Sequence, residues 1–266
     1  MKKGWTRLNK LSVSVLSIAA LLLLCLYLGG FVYAVNNNVN GQPQQDASLL
    51  KKESQEKEDG KEISVAAIGD SLTRGIGDES GKGYIGYLTD EMKEKTKKKV
   101  VVQNLGISGQ RSNQLLAQIK TKSIKERLAE ADYVLITIGG NDLFQGGQTL
   151  ADFNQEKIKE IQQKYIQNIK AIFSGIRKEN PEAVIFLAGL YNPFSEMDNG
   201  KETSAVVREW NFSTAETAAG FNKTVFVPTF DLFELQVNDL LYTDRFHPNT
   251  KGYRLIAERV AALLTL

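Results

Sequence analysis

The sequence predicts an α/β domain in which helices cover both faces of a parallel β-sheet. Two observations support this prediction. Five short apolar runs rich in β-branched residues recur between positions 63 and 230, as expected for buried strands. Longer segments with apolar residues at every third or fourth position lie between and after them, as expected for amphipathic helices. This alternation is typical of parallel strands joined by helices.

The predicted elements follow in order along the chain. The strands are Ile63–Ile68, Val100–Leu105, Tyr133–Ile138, Ala183–Leu190 and Thr224–Phe230. The clearest helix is predicted over Phe153–Arg177, where isoleucine recurs on one face. The last helix is predicted over Asn249–Leu264, and Pro248 suits its start because a missing N–H costs nothing in a first turn.

The first 62 residues predict a membrane segment and a spacer. Four basic side chains within residues 1–10 precede 25 residues without charge, 11–35. About 20 apolar residues span a bilayer as a helix, and a basic cluster before them tends to stay in the cytoplasm. We therefore expect a signal anchor over 1–35, a flexible polar linker over 36–62, and an extracytoplasmic domain over 63–266. A cleaved signal peptide, which would release a secreted domain, stays open as an alternative.

Composition excludes several classes of function. Residues 63–266 carry 25 basic and 25 acidic side chains, so no nucleic-acid surface with clustered excess Lys and Arg is expected. The chain has one cysteine, Cys25, and one histidine, His247. An internal disulfide and a zinc site built from Cys or His are therefore excluded. A nucleotide-binding domain is disfavoured because no phosphate-binding loop follows the first predicted strand.

Candidate functional residues follow the predicted strands, where sites in parallel sheets lie. Ser71 follows the first strand, and a serine on a strand-to-helix turn can project its hydroxyl into a cleft as a nucleophile. Gly106 follows the second strand and offers a closely approaching backbone N–H. Asn141 follows the third and offers an amide N–H₂, and both groups suit the stabilisation of an oxyanion.

The only histidine lies close to a carboxylate. Asp244 precedes His247 by three residues, and on a tight turn the two side chains can face the same way. Asp244 would then hold one ring nitrogen and leave the other to accept the Ser71 proton. Taken singly, each candidate also has an ordinary structural explanation: a helix cap, a turn glycine, a turn asparagine or a surface histidine.

Together these motifs resemble a known family. The segments Gly69–Leu72, Asn104–Gly106, Gly139–Asp142 and Asp244–His247 occur in the order and spacing of the SGNH/GDSL hydrolases. The chain resembles the lipase/acylhydrolase branch, particularly its membrane-anchored members from Gram-positive bacteria. The resemblance covers residues 63–266 and implies a three-layer α/β/α, flavodoxin-like fold with a five-stranded parallel sheet.

The resemblance also implies a role for each candidate. Ser71 would be the nucleophile, His247 the base and Asp244 its orienting acid, with no metal or organic cofactor. The backbone N–H groups of Ser71 and Gly106 and the side chain of Asn141 would form the oxyanion hole. Asp70, although charged and adjacent to the nucleophile, would have a structural role beside the turn.

The expected function is hydrolysis of carboxylic esters through an acyl-serine intermediate, with lysophospholipids or other lipid esters as substrates. An O-acetyl esterase acting on cell-wall carbohydrate is the alternative enzyme, and a membrane-tethered binding module is the non-enzymatic one. The aromatic residues of the insertion Tyr191–Ala219 either line an acyl pocket or only pack the insertion onto the domain. The glycine-rich segment Gly75–Tyr84 is expected to shape the entrance. The sequence does not indicate an oligomeric state.

Overall fold

The computed structural model describes residues 62–147, 149 and 153–265. The predicted anchor over 1–35 and all but the last residue of the predicted linker lie outside this part of the chain. Among the described residues, none of the helices combines the length and the apolar character needed to cross a bilayer.

The predicted five-stranded parallel sheet is confirmed. Its strands are β1 (Glu62–Gly69), β2 (Lys99–Asn104), β3 (Tyr133–Thr137), β4 (Val184–Ala188) and β5 (Thr224–Val227), in the spatial order β2-β1-β3-β4-β5. Every neighbouring pair is parallel. The order reverses at β1, so the edge beyond the carboxyl ends of β1 and β3 is where such folds bind ligands.

Helices cover both faces of the sheet. One layer consists of α3 (Ser112–Gln118), α4 (Lys122–Glu130), α6 (Gln155–Glu179) and α7 (Gly200–Ala219), and the other is built mainly of α2 (Gly83–Lys95) and α10 (Thr250–Ala261). Short helices among the described residues lie in connections: α1 (Ser71–Arg74), α5 (Gly140–Phe144), α8 (Phe230–Phe233) and α9 (Val237–Leu240). A 3₁₀ turn, Gln145–Gly147, follows α5.

The alternation of side chains in β1 shows why both faces need cover. Val65 and Ala67 face the core under α2 and α10, whereas Ala66 and Ile68 face the core under α3, α4 and α6. All four are almost fully buried. Because successive side chains of a strand point to opposite faces, an apolar run of this kind requires a helical layer on each side.

The two long predicted helices are present, with shifted ends. The first begins at Gln155 because the side chain of Asn154 caps it, accepting from the Lys157 N–H at 3.0 Å. The last begins at Thr250, and Asn249 caps it by accepting from the Lys251 and Gly252 N–H groups at 2.9 and 3.1 Å. Pro248 lies before this cap, opposite Leu241 in an isolated bridge, rather than inside the first turn.

Two strand predictions extended too far at their carboxyl ends. β5 ends at Val227 because Pro228, which follows, has no N–H to donate to a neighbouring strand. β4 ends at Ala188, and the Gly189 N–H donates to the Val227 carbonyl. Leu190 after β4 lines the cleft described below, and Phe230 after β5 begins α8, so hydrophobicity alone could not locate the strand ends.

The insertion after β4 divides into two parts. Residues 191–199 form a loop, and α7 follows it. Trp210 of α7 is buried against Tyr165 of α6, with ring centroids 4.5 Å apart, so it belongs to the core. Phe212 is 62% exposed. Trp210 and Phe212 therefore do not line the cleft described below, whereas Tyr191 does.

Candidate active site

Ser71 is placed by a close approach of β1 to β3. Gly69 lies opposite Thr137 with φ +130°, and a Cβ at Gly69 would lie 2.0 Å from the Thr137 carbonyl oxygen. Glycine is therefore required here. Asp70 then turns the chain into α1, since its Oδ1 accepts from the Leu72 N–H at 3.0 Å and caps the helix. Ser71 is the first residue of that helix, and its hydroxyl reaches the cleft.

The three predicted triad residues lie together in hydrogen-bonding order. The Ser71 Oγ lies 2.8 Å from His247 Nε2, and His247 Nδ1 lies 2.6 Å from Asp244 Oδ2. The other carboxylate oxygen of Asp244 accepts from the N–H groups of Phe246 and His247, each at 3.0 Å. This Asx turn, with Arg245 at φ +54°, makes the carboxylate and the imidazole face each other.

The environment of Asp244 favours its charged form. Partial burial alone would raise the pKa of Asp244, but the hydrogen bonds with the His247 ring and with the His247 and Phe246 N–H groups outweigh burial. The net pKa lies below the ordinary value. An ionised Asp244 favours the His247 tautomer with its proton on Nδ1, in which Nε2 would be the acceptor for the Ser71 proton.

Asn141 lies beside Ser71 at the end of the neighbouring strand. Gly139, at φ +118°, turns the chain from β3 into α5, and Asn141 occupies the first turn of that helix. One amide N–H of Asn141 donates to the Gln110 carbonyl at 3.0 Å. Asn141 also lines the cleft together with Ser71, so its second N–H is the candidate donor to an oxyanion.

The residue after Asn141 fixes this loop to the helical layer. Asp142 accepts from the N–H and the Oγ of Ser112 at 2.9 and 2.5 Å, and Asn168 of α6 donates to the same hydroxyl at 2.9 Å. Burial raises the pKa of Asp142, although the hydrogen bonds from Ser112 counteract part of that effect. Asp142 thus joins α3, α5 and α6 and supports the orientation of Asn141.

Gly106, the predicted backbone donor, is engaged elsewhere. Its N–H donates to Asn104 Oδ1 at 3.1 Å, and a Cβ at Gly106 would meet Thr73 at 2.9 Å. In this state its N–H is not free for an oxyanion, so the role predicted for Gly106 stays a prediction. Gly109 has φ +75°, and within the described part of the chain its N–H has no intramolecular acceptor. Gly109 precedes Gln110, whose carbonyl accepts from Asn141. In the sequence, Gly109 is recognisable as the second glycine of the same loop.

Asp70 makes the contacts expected of a structural residue beside the turn. Its Oδ1 accepts from Thr137 Oγ1 at 2.7 Å as well as from Leu72, while His247 contacts Ser71 instead. Burial is the dominant influence and raises the pKa of Asp70 to about 6, although the hydrogen bonds from Thr137 and Leu72 oppose it. The side chain therefore holds the turn that presents Ser71.

A cleft with a mainly apolar lining opens beside Ser71. It opens to solvent. Besides Ser71 and Asn141, its lining includes Leu72, Ile138, Phe144, Ala188, Leu190, Tyr191, Pro193 and Phe246. Phe144, Phe194 and Phe246 form an aromatic cluster with ring centroids 5.1 to 6.1 Å apart.

Tyr191 has a second function that the sequence did not reveal. Its hydroxyl donates to the Phe246 carbonyl at 2.5 Å, and its ring stacks on Phe233. It therefore ties the loop that carries His247 to the loop after β4. Together these features describe a site for acyl transfer: a serine with a hydrogen-bonded base, an ionised orienting acid, candidate oxyanion donors and an adjacent apolar cleft.

Comparison with known families agrees with this geometry. The family model described as the GDSL-like Lipase/Acylhydrolase family matches residues 67–255, which include every residue of the candidate triad. The chain belongs to the GDSL-like lipase/acylhydrolase family. It is therefore an ester-hydrolysing enzyme.

Two curated relatives from Bacillus align with most of this chain. An uncharacterized protein, YpmR of Bacillus subtilis (strain 168), is 36% identical over 215 residues, which cover 79% of this chain and 84% of the relative. The spore germination lipase LipC of Bacillus licheniformis is 25% identical over 219 residues, which cover 75% of this chain and 95% of LipC.

Solved structures share the fold. The lipase Lip_vut3 from a goat rumen metagenome has a TM-score of 0.67 at 24% identity, covering 75% of this chain and 96% of the lipase. The acetylxylan esterase Axe2 from Geobacillus stearothermophilus has a TM-score of 0.57 at 22% identity, covering 76% and 93%. These similarities confirm the α/β fold.

Proposed function

We propose that this chain hydrolyses carboxylic esters of lipids through a covalent acyl-Ser71 intermediate. The observation that carries the proposal is the continuous hydrogen-bond chain from Ser71 through His247 to Asp244, with contacts of 2.8 and 2.6 Å. Such a chain activates a hydroxyl that is otherwise a weak nucleophile near neutral pH.

The proposed acylation step follows from these contacts. The Ser71 Oγ attacks the ester carbonyl carbon while His247 Nε2 accepts the hydroxyl proton, and the carbonyl oxygen becomes an oxyanion. The Ser71 N–H and the Asn141 amide would donate to that oxygen. The bond to the leaving alcohol then breaks, and His247 returns the proton to the alcohol oxygen.

Deacylation repeats the sequence with water. His247 Nε2 accepts a proton from water, the resulting hydroxide attacks the acyl carbon, and a second oxyanion forms. Its collapse breaks the bond to Ser71 Oγ, which recovers its proton from His247, and the carboxylic acid leaves. Asp244 remains a carboxylate throughout and stabilises the imidazolium that forms in each half-reaction.

Two observations support a lipid ester. The cleft beside Ser71 is lined largely by apolar and aromatic side chains, which favour a hydrocarbon chain over a polar group. In addition, a relative that aligns along most of this chain is described as a lipase. The alternative, an O-acetyl esterase acting on cell-wall carbohydrate, requires room for an acetyl group only.

We also propose an extracytoplasmic location, with the domain tethered to the membrane or secreted after cleavage. The support is the basic start of the chain, followed by 25 uncharged residues and a polar stretch. Protease added to intact cells that express the full chain tests this location, and protection of the domain would contradict it.

A series of p-nitrophenyl esters from acetyl to palmitoyl, with a lysophospholipid and acetylated xylan alongside, tests the substrate class on the full chain in detergent. We expect kcat/KM to rise from acetyl to longer acyl chains, and fatty acid to be released from the lysophospholipid. Turnover of acetyl esters alone would overturn the lipid assignment. Ser71→Ala is the blank for every substrate.

A matched pair of phenylalanine variants tests whether the aromatic cluster contacts the acyl chain. Phe246→Ala should change the chain-length profile because this ring forms a wall of the cleft. Phe212→Ala removes an exposed ring of α7 and should leave the profile unchanged. Identical profiles for the two variants would place the acyl chain elsewhere.

A further inference from the structure

The segment between the nucleophile's helix and α2 follows a path that only glycine readily allows. This glycine loop, residues 75–83, has Gly75, Gly77, Gly81 and Gly83 at φ values of +86°, +95°, +70° and +56°. Other residues rarely adopt such backbone angles. A loop that commits four glycines to one conformation is held in a definite place.

The glycine loop packs against His247 and Pro248. A Cβ at Gly77 would lie 2.6 Å from the Pro248 carbonyl oxygen and 2.9 Å from His247 Cβ. The glycine loop therefore contacts the segment that carries His247. Any shift of the glycine loop would be transmitted to the imidazole.

Asp78 joins this loop to the helix that follows His247. Its carboxylate accepts from Thr250 Oγ1 at 2.6 Å, from the Gly83 N–H at 2.8 Å and from Ser80 Oγ at 2.8 Å. Tyr87 of α2 also approaches it at 3.3 Å. One buried carboxylate thus binds the glycine loop, α2 and the first residue of α10 to one another.

The Asp78 carboxylate is ionised near neutral pH. Burial alone would raise the pKa of Asp78, but the hydrogen bonds from Thr250, Ser80 and Gly83 outweigh it and lower the pKa to about 2. Hydrogen bonds to an ionised acceptor are stronger than those between neutral groups. A second tie runs in parallel, since the Tyr253 hydroxyl donates to the Ile76 carbonyl at 2.6 Å.

We propose that Asp78, through its hydrogen bond to Thr250, is a positioning residue that keeps His247 in line with Ser71. The inference rests on the proposed function and adds a residue to it. Nucleophile and base are 176 positions apart in sequence, and the loop from Tyr242 to His247 is exposed over most of its length. Misplacement of a reacting group by about 1 Å can cost roughly 100-fold in rate, so such a site needs an external tie.

Thr250 offers the sharpest variants because its hydroxyl can be removed with little change of shape. In the full chain, Thr250→Val should lower kcat on a p-nitrophenyl ester about tenfold with KM nearly unchanged, because the base is displaced and the cleft is not. Thr250→Ser restores the hydroxyl and should restore kcat. The matched control is Thr89→Val, since Thr89 donates within α2 to the Ile85 carbonyl and does not touch Asp78.

The single histidine supplies a readout that does not depend on turnover. With ¹⁵N-histidine the Nδ1–H proton signal of His247 is observed without assignment, and the bond to Asp244 should place it far downfield. We expect this signal to be sharp in the unmodified chain, Thr250→Ser and Thr89→Val, and broadened or shifted in Thr250→Val. Asp78→Asn should have the same effect, and the double variant should lose little more than either single one.

The outcomes separate the two proposals. If Thr250→Val keeps both kcat and the His247 signal, or if Thr89→Val loses as much as Thr250→Val, the positioning role is overturned. If no variant and not even the unmodified chain turns over esters, while the signal responds to Thr250→Val as described, the positioning role stands and the proposed function fails.

Discussion

At the scale of single residues, the burial of Asp70 beside Ser71 lowers the stability of the folded protein. The carboxyl group is 3% exposed, and burial raises its pKa from 3.8 to about 6. Between those two values the folded state binds more protons than the unfolded state, so stability falls as pH rises through this window. Above about pH 6 the full cost of the buried charge is present.

Asp70→Asn should therefore stabilise the protein in a pH-dependent way. The amide oxygen can still accept from Leu72 and Thr137, but no charge is buried. We expect little difference from the unmodified chain near pH 4, and a gain on the order of 1–3 kcal/mol near pH 8, measured as the free energy of unfolding in urea. A gain of the same size at both pH values would contradict this explanation.

The side-chain roles predicted from the sequence differ in a physical way from the backbone role predicted for Gly106. The roles proposed for Ser71, Asn141, Asp244 and His247 use their side chains, whose chemistry can be read from the residue type. A backbone N–H has no such signature. In the structure the Gly106 N–H donates to Asn104, and Gly109 has a left-handed φ. Neither was readable from the spacing of glycines.

At the scale of elements, Asn180 joins chain segments at the amino ends of the strands, which is the end of the sheet opposite the active site. Its amide nitrogen donates to the carbonyls of Ala131 and Leu128 at 2.8 and 2.9 Å. Its oxygen accepts from the N–H groups of Ala183 and Glu182 at 2.9 and 3.0 Å. One side chain therefore joins the end of α6, the approach to β4 and the end of α4.

Asn180→Ala should cost roughly 2–4 kcal/mol of stability, because it leaves several buried backbone groups without partners. Urea unfolding measures this loss. The kcat of the folded enzyme should not change, since these contacts lie at the amino ends of the strands. Asn222→Ala, at an exposed side chain, is the control and should stay within about 0.5 kcal/mol of the unmodified chain. Equal losses for both variants would argue against the anchoring role.

Element boundaries were predictable where a cap or a proline sets them. The start of α6 follows from Asn154, and the end of β5 follows from Pro228, although the apolar residues beyond that proline had suggested a longer strand. Tertiary contacts decided the rest. Trp210 is an apolar residue in an insertion near the site, and only its packing on Tyr165 shows that it belongs to the core.

At the scale of the whole molecule, the strand order brings distant sequence motifs to one edge. β1 and β3 are neighbours, so Ser71 and Asn141 lie side by side although 70 positions separate them. The His247 loop comes from the far end of the chain and is held by Tyr191 on one side and by the glycine loop on the other. The parallel sheet was predictable from periodicity, and its edge from the topology rule for such sheets. The contacts that hold the His247 loop could not be predicted, because each joins residues that are far apart in the sequence and share no motif.

The central claim is that Ser71 is the nucleophile and that His247 activates it. Labelling of the full chain with a fluorophosphonate, followed by mass spectrometry of the tryptic peptides, tests it most directly. We predict a single adduct on the peptide Glu62–Arg74, no adduct in Ser71→Ala, and labelling at least about 1,000-fold slower in His247→Ala. An adduct on another residue, or labelling of His247→Ala at the unmodified rate, would contradict the account.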